Sequence, residues 1–319
     1  MKIGLAGYQG SGKSTLFEWL TGVAPDPSMT HSGQSAMATI PEPRLDALHQ
    51  VFNAKKITRA ALEIVDTPGL SRTHEGNAAR LALIREAGCL VLVVAAFDGS
   101  DPVGEFRCFE EDLTLADMQI VSSRIERVEE SLKKPLPRTE HEKLAHEDET
   151  LKVVLAAMEA GRPLTESDLS DEQLRVTRAF RLFGEKPRMV LVNTADDEED
   201  PNRFVQSAPS GATVVPVPVG LEVELSRMTP EERAEFEEEM GVGGSDRDQL
   251  IRTMMDTSGQ MLFFTAGPQE VRTWIHRKGG TAVEAAGNIH TDMARGFIRA
   301  EVMTCSDLVR LGSEREVKA

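Results

Sequence analysis

The sequence predicts an α/β fold in which a parallel sheet is flanked by helices, interrupted by a helical insertion and followed by a small β-grasp-like region. Three observations support this prediction. A short apolar run leads into a glycine-rich loop at the N-terminus, and apolar runs then alternate with helical stretches. Between two strong strands, a long stretch has the apolar spacing of packed helices.

The first fifteen residues combine a strand, a glycine loop and the start of a helix. Residues 2–6 are apolar, and residues 7–14 (GYQGSGKS) fit the phosphate-loop pattern G-x-x-x-x-G-K-[ST]. The glycines let backbone N–H groups approach a phosphate, and the helix N-terminus adds donors and partial positive charge. Lys13 is predicted to reach the β- and γ-phosphates, and Ser14 to ligate Mg²⁺. A chance match in a glycine-rich turn is the alternative, and the flanking strand and helix argue against it.

A second phosphate-site element follows an apolar strand at residues 61–65. The strand ends in the residues DTPG (66–69), where a carboxylate precedes a glycine turn. In phosphate-loop proteins this carboxylate holds Mg²⁺ through water, and the glycine N–H faces the γ-phosphate. A simple turn is the alternative, because D-x-x-G alone is common. The position after a phosphate loop predicts these two roles for Asp66 and Gly69.

Further strong strands are predicted at 89–96, 189–193 and 213–217, on either side of the long helical stretch. Alternating strands and helices of this kind form a parallel sheet with helices on both faces. We therefore predict one nucleotide-binding domain in two parts, residues 1–106 and 185–258.

The inserted stretch, residues 107–184, is predicted to be a helical coiled-coil domain. Its first helix has apolar residues at spacings of three and four: Met118, Val121, Ile125, Val128 and Leu132. A proline turn at 135–137 and a capping box of Thr139 with Glu142 predict a second helix, which folds back antiparallel to the first. Solvation explains the charges on the outer helix faces better than a docking patch does.

The last segment, residues 259–319, is predicted to be a small β-grasp-like domain. Strands predicted at 262–265, 271–275 and 296–303 surround a helix at 281–289. The segment has a modest excess of cations. A solvated surface explains that excess about as well as a contact with RNA does.

A candidate base-recognition loop follows the strand at 189–193. It reads NTAD (193–196), in which the Asn193 amide can brace the loop and the Asp196 carboxylate can accept from the N–H groups of a nucleobase. Acidic loops are common, so this pattern is weak by itself.

Composition argues against several classes of protein. The formal net charge of −16 over 319 residues argues against nucleic-acid binding over the whole surface. The three cysteines lack metal or disulfide spacing, and the longest apolar run, residues 89–97, is too short to span a bilayer. With a strand beginning at Lys2, a signal peptide is not expected. We expect a cytoplasmic monomer that binds neither DNA nor membranes.

These motifs, with three longer stretches, resemble the YchF/Obg-like ATPase family over nearly the whole chain. The stretches are PEPRLD at 41–46, FFTAG followed by EVR at 263–272, and IHTD to GFIRA at 289–300. The resemblance implies a nucleoside triphosphatase domain, an inserted coiled-coil domain and a C-terminal TGS domain. That last domain is expected to be incomplete, because the chain ends at Ala319 before its usual final strands. The resemblance also implies binding to the ribosome, especially its large subunit, and use of ATP as well as, or instead of, GTP.

The resemblance assigns site residues one by one. The nucleotide-binding set that it implies is Gly10, Ser11, Gly12, Lys13, Ser14, Thr15, Asn193, Thr194 and Asp196. The set implied for Mg²⁺ is Ser14, Thr30 and Asp66. Lys13 and Gly69 are expected to act directly in catalysis.

Some positions depart from the family pattern. Related GTPases read N-K-x-D at the base, where this chain has Thr194, so the choice between ATP and GTP stays open. Gly10 replaces an Asn that holds an activating K⁺ in related GTPases. Leu70 stands where Ras-like enzymes have a water-orienting Gln, so intrinsic hydrolysis should be slow or should depend on another group. His74 lies nearby, and a surface histidine is the favoured interpretation.

These observations predict a Mg²⁺-dependent ATPase or GTPase that acts as a switch at the ribosome. Residues 21–34 and 70–77 are expected to change conformation with the nucleotide. One alternative is a nucleotide-gated scaffold that scarcely hydrolyses, which Leu70 and the poorly matched 21–34 loop favour. A second is a phosphate-loop kinase, which the DTPG element, the insertion and the lack of an arginine-rich lid disfavour.

Overall fold

The computed structural model describes residues 1–164, 169–207, 211–240 and 244–318. Its strands are β1 (Lys2–Ala6), β2 (Gln34–Thr39), β3 (Ile57–Thr58), β4 (Ala61–Asp66), β5 (Cys89–Ala96), β6 (Arg188–Thr194), β7 (Val214–Val217), β8 (Gln260–Ala266) and β9 (Val271–Arg277). Its helices are α1 (Lys13–Thr21), α2 (Pro43–Phe52), α3 (Asn77–Arg85), α4 (Pro102–Leu132), α5 (Arg138–Glu159), α6 (Asp171–Arg178), α7 (Asn202–Gln206), α8 (Val219–Ser226), α9 (Pro230–Met240), α10 (Arg247–Thr257), α11 (Ala282–Ile289), α12 (Thr291–Arg295), α13 (Cys305–Leu311) and α14 (Glu314–Lys318).

Six strands form the central sheet in the order β2-β4-β1-β5-β6-β7. The five strands from β4 to β7 in this order are parallel, as predicted. The edge strand β2 is antiparallel to β4 and pairs Thr39 with Ala61. The predicted parallel sheet is therefore mixed, because the chain leaves β2 and enters β4 at the same end of the sheet.

The sheet is buried on both faces, which explains the continuous apolar run of β5. Alternate side chains of a strand point to opposite faces, and those of β5 divide between two cores. Cys89, Val91 and Val93 pack with apolar residues of α1, α8 and α10. Leu90, Leu92 and Val94 pack with apolar residues of α3 and α4. Burial on both faces is typical of parallel sheets covered by helices.

The long helix α4 leaves the sheet and packs against α5. Its first half contributes Phe109 and Leu113 to the core under the sheet, and its second half packs Val121 and Ile125 against α5. Five residues, 133–137, join these two helices, so the helices run in opposite directions.

The capping box predicted at Thr139 is wrong. Helix α5 begins at Arg138, and its N-cap residue, Pro137, makes no side-chain cap. Thr139 therefore already lies inside the first turn. The Glu142 carboxylate instead accepts from Arg138 at 2.8 Å, one helical turn away.

The C-terminal sheet has three strands in the order β3-β9-β8. β8 and β9 are neighbouring strands, as predicted, and the structure pairs them antiparallel, whereas β3 pairs in parallel with β9. The strand predicted at 296–303 is wrong, because these residues form no regular structure. β3 occupies the edge of β9 that β8 leaves open, and Ile298 and Val302 are 91% and 88% exposed. Apolar residues without a strand to pair with do not make a sheet.

The candidate site lies at the carboxyl edge of the central sheet. β1 ends at the phosphate loop, β4 at Asp66, β5 at Ala96, directly before Phe97, and β6 at the base-recognition loop. Ligands of open α/β sheets bind at this edge. Within the described ranges, no helix is both long enough and apolar enough to cross a bilayer.

Candidate functional site

The phosphate loop between β1 and α1 needs glycine at two positions. Gly7 has φ = 153°, and a Cβ there would collide with the Val93 carbonyl oxygen. Gly12 has φ = 96°, and a Cβ there would collide with the Asn193 side chain. Gly12 is also the N-cap of α1 and makes no side-chain cap. The first turn of α1 is therefore open to an anion.

Lys13 is buried at the start of α1 and is held by the loop that it follows. Its Nζ donates to the Tyr8 carbonyl oxygen at 2.6 Å and to Ser11 Oγ at 3.4 Å. Burial lowers the pKa of Lys13 to about 8, although the nearby Asp66 and Glu105 carboxylates oppose that shift. A buried ammonium with carbonyl and hydroxyl partners is well suited to bind phosphate oxygens.

Ser14 and Asp66 form the candidate metal site. Ser14 Oγ donates to Asp66 Oδ2 at 2.6 Å, and Asp66 Oδ1 is buried without a hydrogen-bond partner. Burial raises the pKa of Asp66, and the hydrogen bond from Ser14 opposes that effect. A buried, unsatisfied carboxylate oxygen beside a hydroxyl fits a hard cation such as Mg²⁺.

Thr30 lies in the same cavity but does not turn its hydroxyl toward Ser14. The cavity has a volume of about 300 Å³, and Thr30, Ser14 and Asp66 all line it. Thr30 Oγ1 donates to the Pro27 carbonyl oxygen at 2.7 Å. Among the residues that the structure describes, no group of three or more His, Cys, Asp or Glu side chains could hold a metal. A metal here would therefore also need oxygens from the phosphates or from water.

Gly69 and Leu70 lie directly on the phosphate loop. A Cβ on Gly69 would come within 2.8 Å of Lys13 Nζ and 2.9 Å of the Gln9 nitrogen. The Leu70 N–H donates to the Gly7 carbonyl oxygen at 3.0 Å, and the Gln9 N–H donates to the Leu70 carbonyl oxygen at 2.9 Å. The Leu70 side chain is fully buried in the core. It therefore cannot orient a water molecule at the phosphates.

A second cavity of about 540 Å³ meets the phosphate cavity at Gly10. Its lining includes Gly10, Gly12, Thr15, Phe97, Asn193, Thr194, Ala195, Asp196, Asp197 and Gly220. A nucleotide needs this arrangement, with polar donors for its phosphates at one end and a cleft for its base at the other.

The Asn193 amide braces this cleft. Its Nδ2 donates to the Ser11 carbonyl oxygen at 3.2 Å, and its Oδ1 accepts from the Val219 N–H at 3.2 Å. Asn193 is buried, whereas Asp196 is exposed. The Asp196 carboxylate is therefore the acidic group of the NTAD loop that is free to meet a base edge.

Sequence reasoning missed two residues of the base cleft, Phe97 and Gly220. Phe97 is 43% exposed and follows the buried strand β5. An aromatic residue directly after a buried strand, at its carboxyl end, is the sequence signal that could have identified Phe97 as a site residue. Gly220 lies at the start of α8 and has no such signal, because its place in the cleft depends on how α8 packs against β6.

His74 lies outside both cavities. It has φ = 61°, and its Nδ1 lies 3.4 Å from Asp112 Oδ1. It lines a separate cavity of about 650 Å³ beside Tyr8 and α4. The structure thus brings together the phosphate-loop residues, Asp66, Gly69 and Thr30, and it leaves His74 on a neighbouring surface.

Comparisons with known proteins agree with this geometry. The profile of a family described as "50S ribosome-binding GTPase" matches residues 2–136. A profile for the C-terminal domain of YchF-type GTPases, described as a protein of unknown function, matches residues 261–319.

Several whole proteins are similar to this chain over most of their length. Obg-like ATPase 1 of Oryza sativa subsp. indica is 34% identical over 100% of this chain and 86% of that protein. The ribosome-binding ATPase YchF of Bacillus subtilis is 32% identical over 97% of this chain and 90% of that protein. The solved structure of the Schizosaccharomyces pombe YchF GTPase matches with a TM-score of 0.84 and 25% identity, over 100% of this chain and 91% of that one.

Proposed function

This chain belongs to the YchF/Obg-like ATPase family of P-loop nucleoside triphosphatases, and we propose that it is a Mg²⁺-dependent switch that acts at the ribosome. One observation carries the proposal. The buried Lys13 ammonium and the Ser14–Asp66 pair line one cavity, and this cavity joins a cleft large enough for a nucleobase. Each end of a nucleoside triphosphate therefore has its chemical counterpart in the site.

Several residues of the site are placed to contact the phosphates or the metal. Lys13 exchanges part of its bonding to the Tyr8 carbonyl for phosphate oxygens, and the first turn of α1 donates its N–H groups. Gly69 lets the backbone approach the γ-phosphate, because a side chain there would meet Lys13. Ser14 and Asp66, with Thr30 when its loop closes, would hold Mg²⁺. Bound Mg²⁺ neutralises charge on the phosphates.

The Bacillus subtilis relative and one matching family are both described as ribosome-binding, and we propose that this chain binds the large subunit as a cytoplasmic monomer. Residues 107–184 are proposed to be the family's coiled-coil insertion, and residues 259–319 its TGS-like domain. Residues 1–106 and 185–258 then form the nucleotide-binding domain.

A nucleotide-gated scaffold is the second candidate, and buried Leu70 is the observation that favours it. Single-turnover release of phosphate from radiolabelled ATP and GTP separates the two. We expect slow release from the protein alone and at least about tenfold faster release with purified ribosomes, because the buried, apolar Leu70 stands where Ras-like enzymes have a water-orienting side chain. Equal rates with and without ribosomes would instead support the scaffold.

Base choice depends on Asp196. Its carboxylate can accept from two N–H groups of guanine, whereas adenine offers no such pair. In Asp196→Ala we expect GTP affinity to fall about tenfold and ATP affinity to stay within about threefold, since hydrogen bonds to a charged group contribute about 1.5–3 kcal/mol. Equilibrium binding of both nucleotides with Mg²⁺ measures this. Asp197→Ala, which removes the neighbouring carboxylate in the same cleft, is the matched control, and equal losses for both nucleotides would refute the role.

A further inference from the structure

The Tyr8 side chain connects the phosphate loop to the helical insertion. Tyr8 is 4% exposed. Its hydroxyl donates to Asp112 Oδ2 at 2.9 Å, and its ring meets the Phe109 ring edge-on at 5.3 Å. Both partners lie on α4. Burial raises the pKa of Tyr8, and the bond to Asp112 raises it further, so the phenol keeps the proton that it donates.

The backbone of Tyr8 in turn holds the catalytic lysine. Its carbonyl oxygen accepts from Lys13 Nζ at 2.6 Å. The residue after it, Gln9, donates to the carbonyl oxygen of Leu70, the residue that follows the γ-phosphate glycine. A shift of the Tyr8 side chain would therefore displace the carbonyl that orients Lys13 and the loop that contacts Leu70.

The same face of α4 also holds the segment that follows Leu70. Glu105 and Asp112 are two helical turns apart and lie on one side of the helix. Glu105 pairs with Arg72, and Asp112 lies 3.4 Å from the ring nitrogen of His74. The Arg72 guanidinium also lies 5.3 Å from the centre of the Tyr8 ring. Helix α4 therefore contacts both the phosphate loop, at Tyr8, and the segment that follows Leu70.

We propose that Tyr8 and Asp112 are positioning residues through which α4 sets the place of Lys13 and, with it, the affinity for a nucleoside triphosphate. The inference rests on the proposed function, because it needs a triphosphate on Lys13. A charged group that is fixed in position stabilises a bound ligand most strongly where water is excluded, and the buried Lys13 ammonium is in such a place.

A double-mutant cycle tests the proposal. Tyr8→Phe removes the donor hydroxyl, and Asp112→Asn replaces the charged carboxylate acceptor by a neutral and weaker amide acceptor. We expect each single variant to weaken binding of a non-hydrolysable ATP or GTP analogue about tenfold and binding of the diphosphate less than about threefold, because Lys13 contacts the β/γ region. The double variant should lose no more than either single variant, since the two residues act through one contact.

Glu111→Gln is the matched control, because Glu111 is an exposed carboxylate beside Asp112 in the same cavity. Its affinities should stay within about twofold of wild type. Unchanged affinity in Tyr8→Phe, losses that multiply in the double variant, or equal losses of triphosphate and diphosphate would each overturn the coupling. If wild type binds no nucleotide, the proposed function itself fails. If wild type binds and the variants match it, only the coupling fails. If Asp112→Asn does not fold, the Tyr8→Phe variant still tests the coupling through the ratio of its triphosphate affinity to its diphosphate affinity.

Discussion

Replacing Lys13 with methionine should reduce single-turnover phosphate release by at least about a thousandfold, because we propose that its buried ammonium is the cation that meets the transferring phosphate. Methionine has similar length and suits a position that is 6% exposed. The variant should therefore fold, and its free energy of unfolding should match or exceed that of wild type. Rapid-quench assays and denaturant unfolding measure the two quantities. Near-normal phosphate release would remove Lys13 from the catalytic site.

The pH dependence of triphosphate binding provides a control for the Lys13→Met prediction. Burial lowers the pKa of Lys13 to about 8, below its value in the unfolded chain. Above that pH the free protein loses the ammonium proton first, so triphosphate affinity should be roughly tenfold lower at pH 9 than at pH 7. Between about pH 8 and the unfolded pKa, this group also makes the folded state more stable as pH rises, because the unfolded state binds more protons. Lys13→Met should show neither trend, and the same trends in both proteins would assign them to another group.

Replacing Asp117 with alanine should cost about 3–5 kcal/mol of unfolding free energy, the range for breaking a buried ion pair from one side. Asp117 is 1% exposed on α4. Its Oδ1 accepts from Arg85 Nη1 at 2.5 Å, and its Oδ2 accepts from the Gly184 N–H at 2.9 Å. The substitution leaves a guanidinium and a backbone N–H without their acceptor. Urea unfolding followed by circular dichroism measures the loss.

This pair is expected to matter because it joins three segments at the root of the insertion. Arg85 ends α3, Asp117 lies on α4, and the Arg85 guanidinium stacks 3.9 Å from the centre of the Phe183 ring on the returning chain. The exposed pair of Arg138 and Glu142 on α5 is the matched control, and Glu142→Ala should change stability little. A comparable loss in both variants would contradict the buried role. Replacing both Arg85 and Asp117 with apolar residues should recover much of the loss.

The sequence was most informative where chemistry depends on neighbours along the chain. The phosphate loop, its strand and its helix are contiguous, so the identity of Lys13, Ser14 and the glycines could be predicted from spacing. Asp66 and Gly69 could be predicted for the same reason, because a strand end and a turn specify them. The continuous apolar run of β5 predicted that strand well, and the apolar spacing from Met118 to Leu132 correctly predicted a helix. That helix, α4, begins earlier than predicted, at Pro102.

One prediction failed locally: Thr139 was expected to be the N-cap of α5, but the N-cap is Pro137, two residues earlier. Other predictions failed where a contact between distant segments decided the outcome. Residues 296–303 were expected to form a strand, but β3, more than 200 residues earlier in the chain, pairs with the edge of β9. Phe97 and Gly220 entered the base cleft only through the packing of β5 and α8 against β6.

The sequence by itself determined that this protein has a phosphate loop, a carboxylate at the end of a following strand and an α/β sheet to support them, because each is a local pattern. Only the tertiary structure decided that the Asn193 amide braces Ser11 and that Tyr8 reaches Asp112. It also decided that the end of α3 is locked to α4 through Arg85 and Asp117. The physical reason is that a hydrogen bond or a buried ion pair needs two groups in contact, and residues 30 to 180 positions apart are brought together by the packing of the whole core.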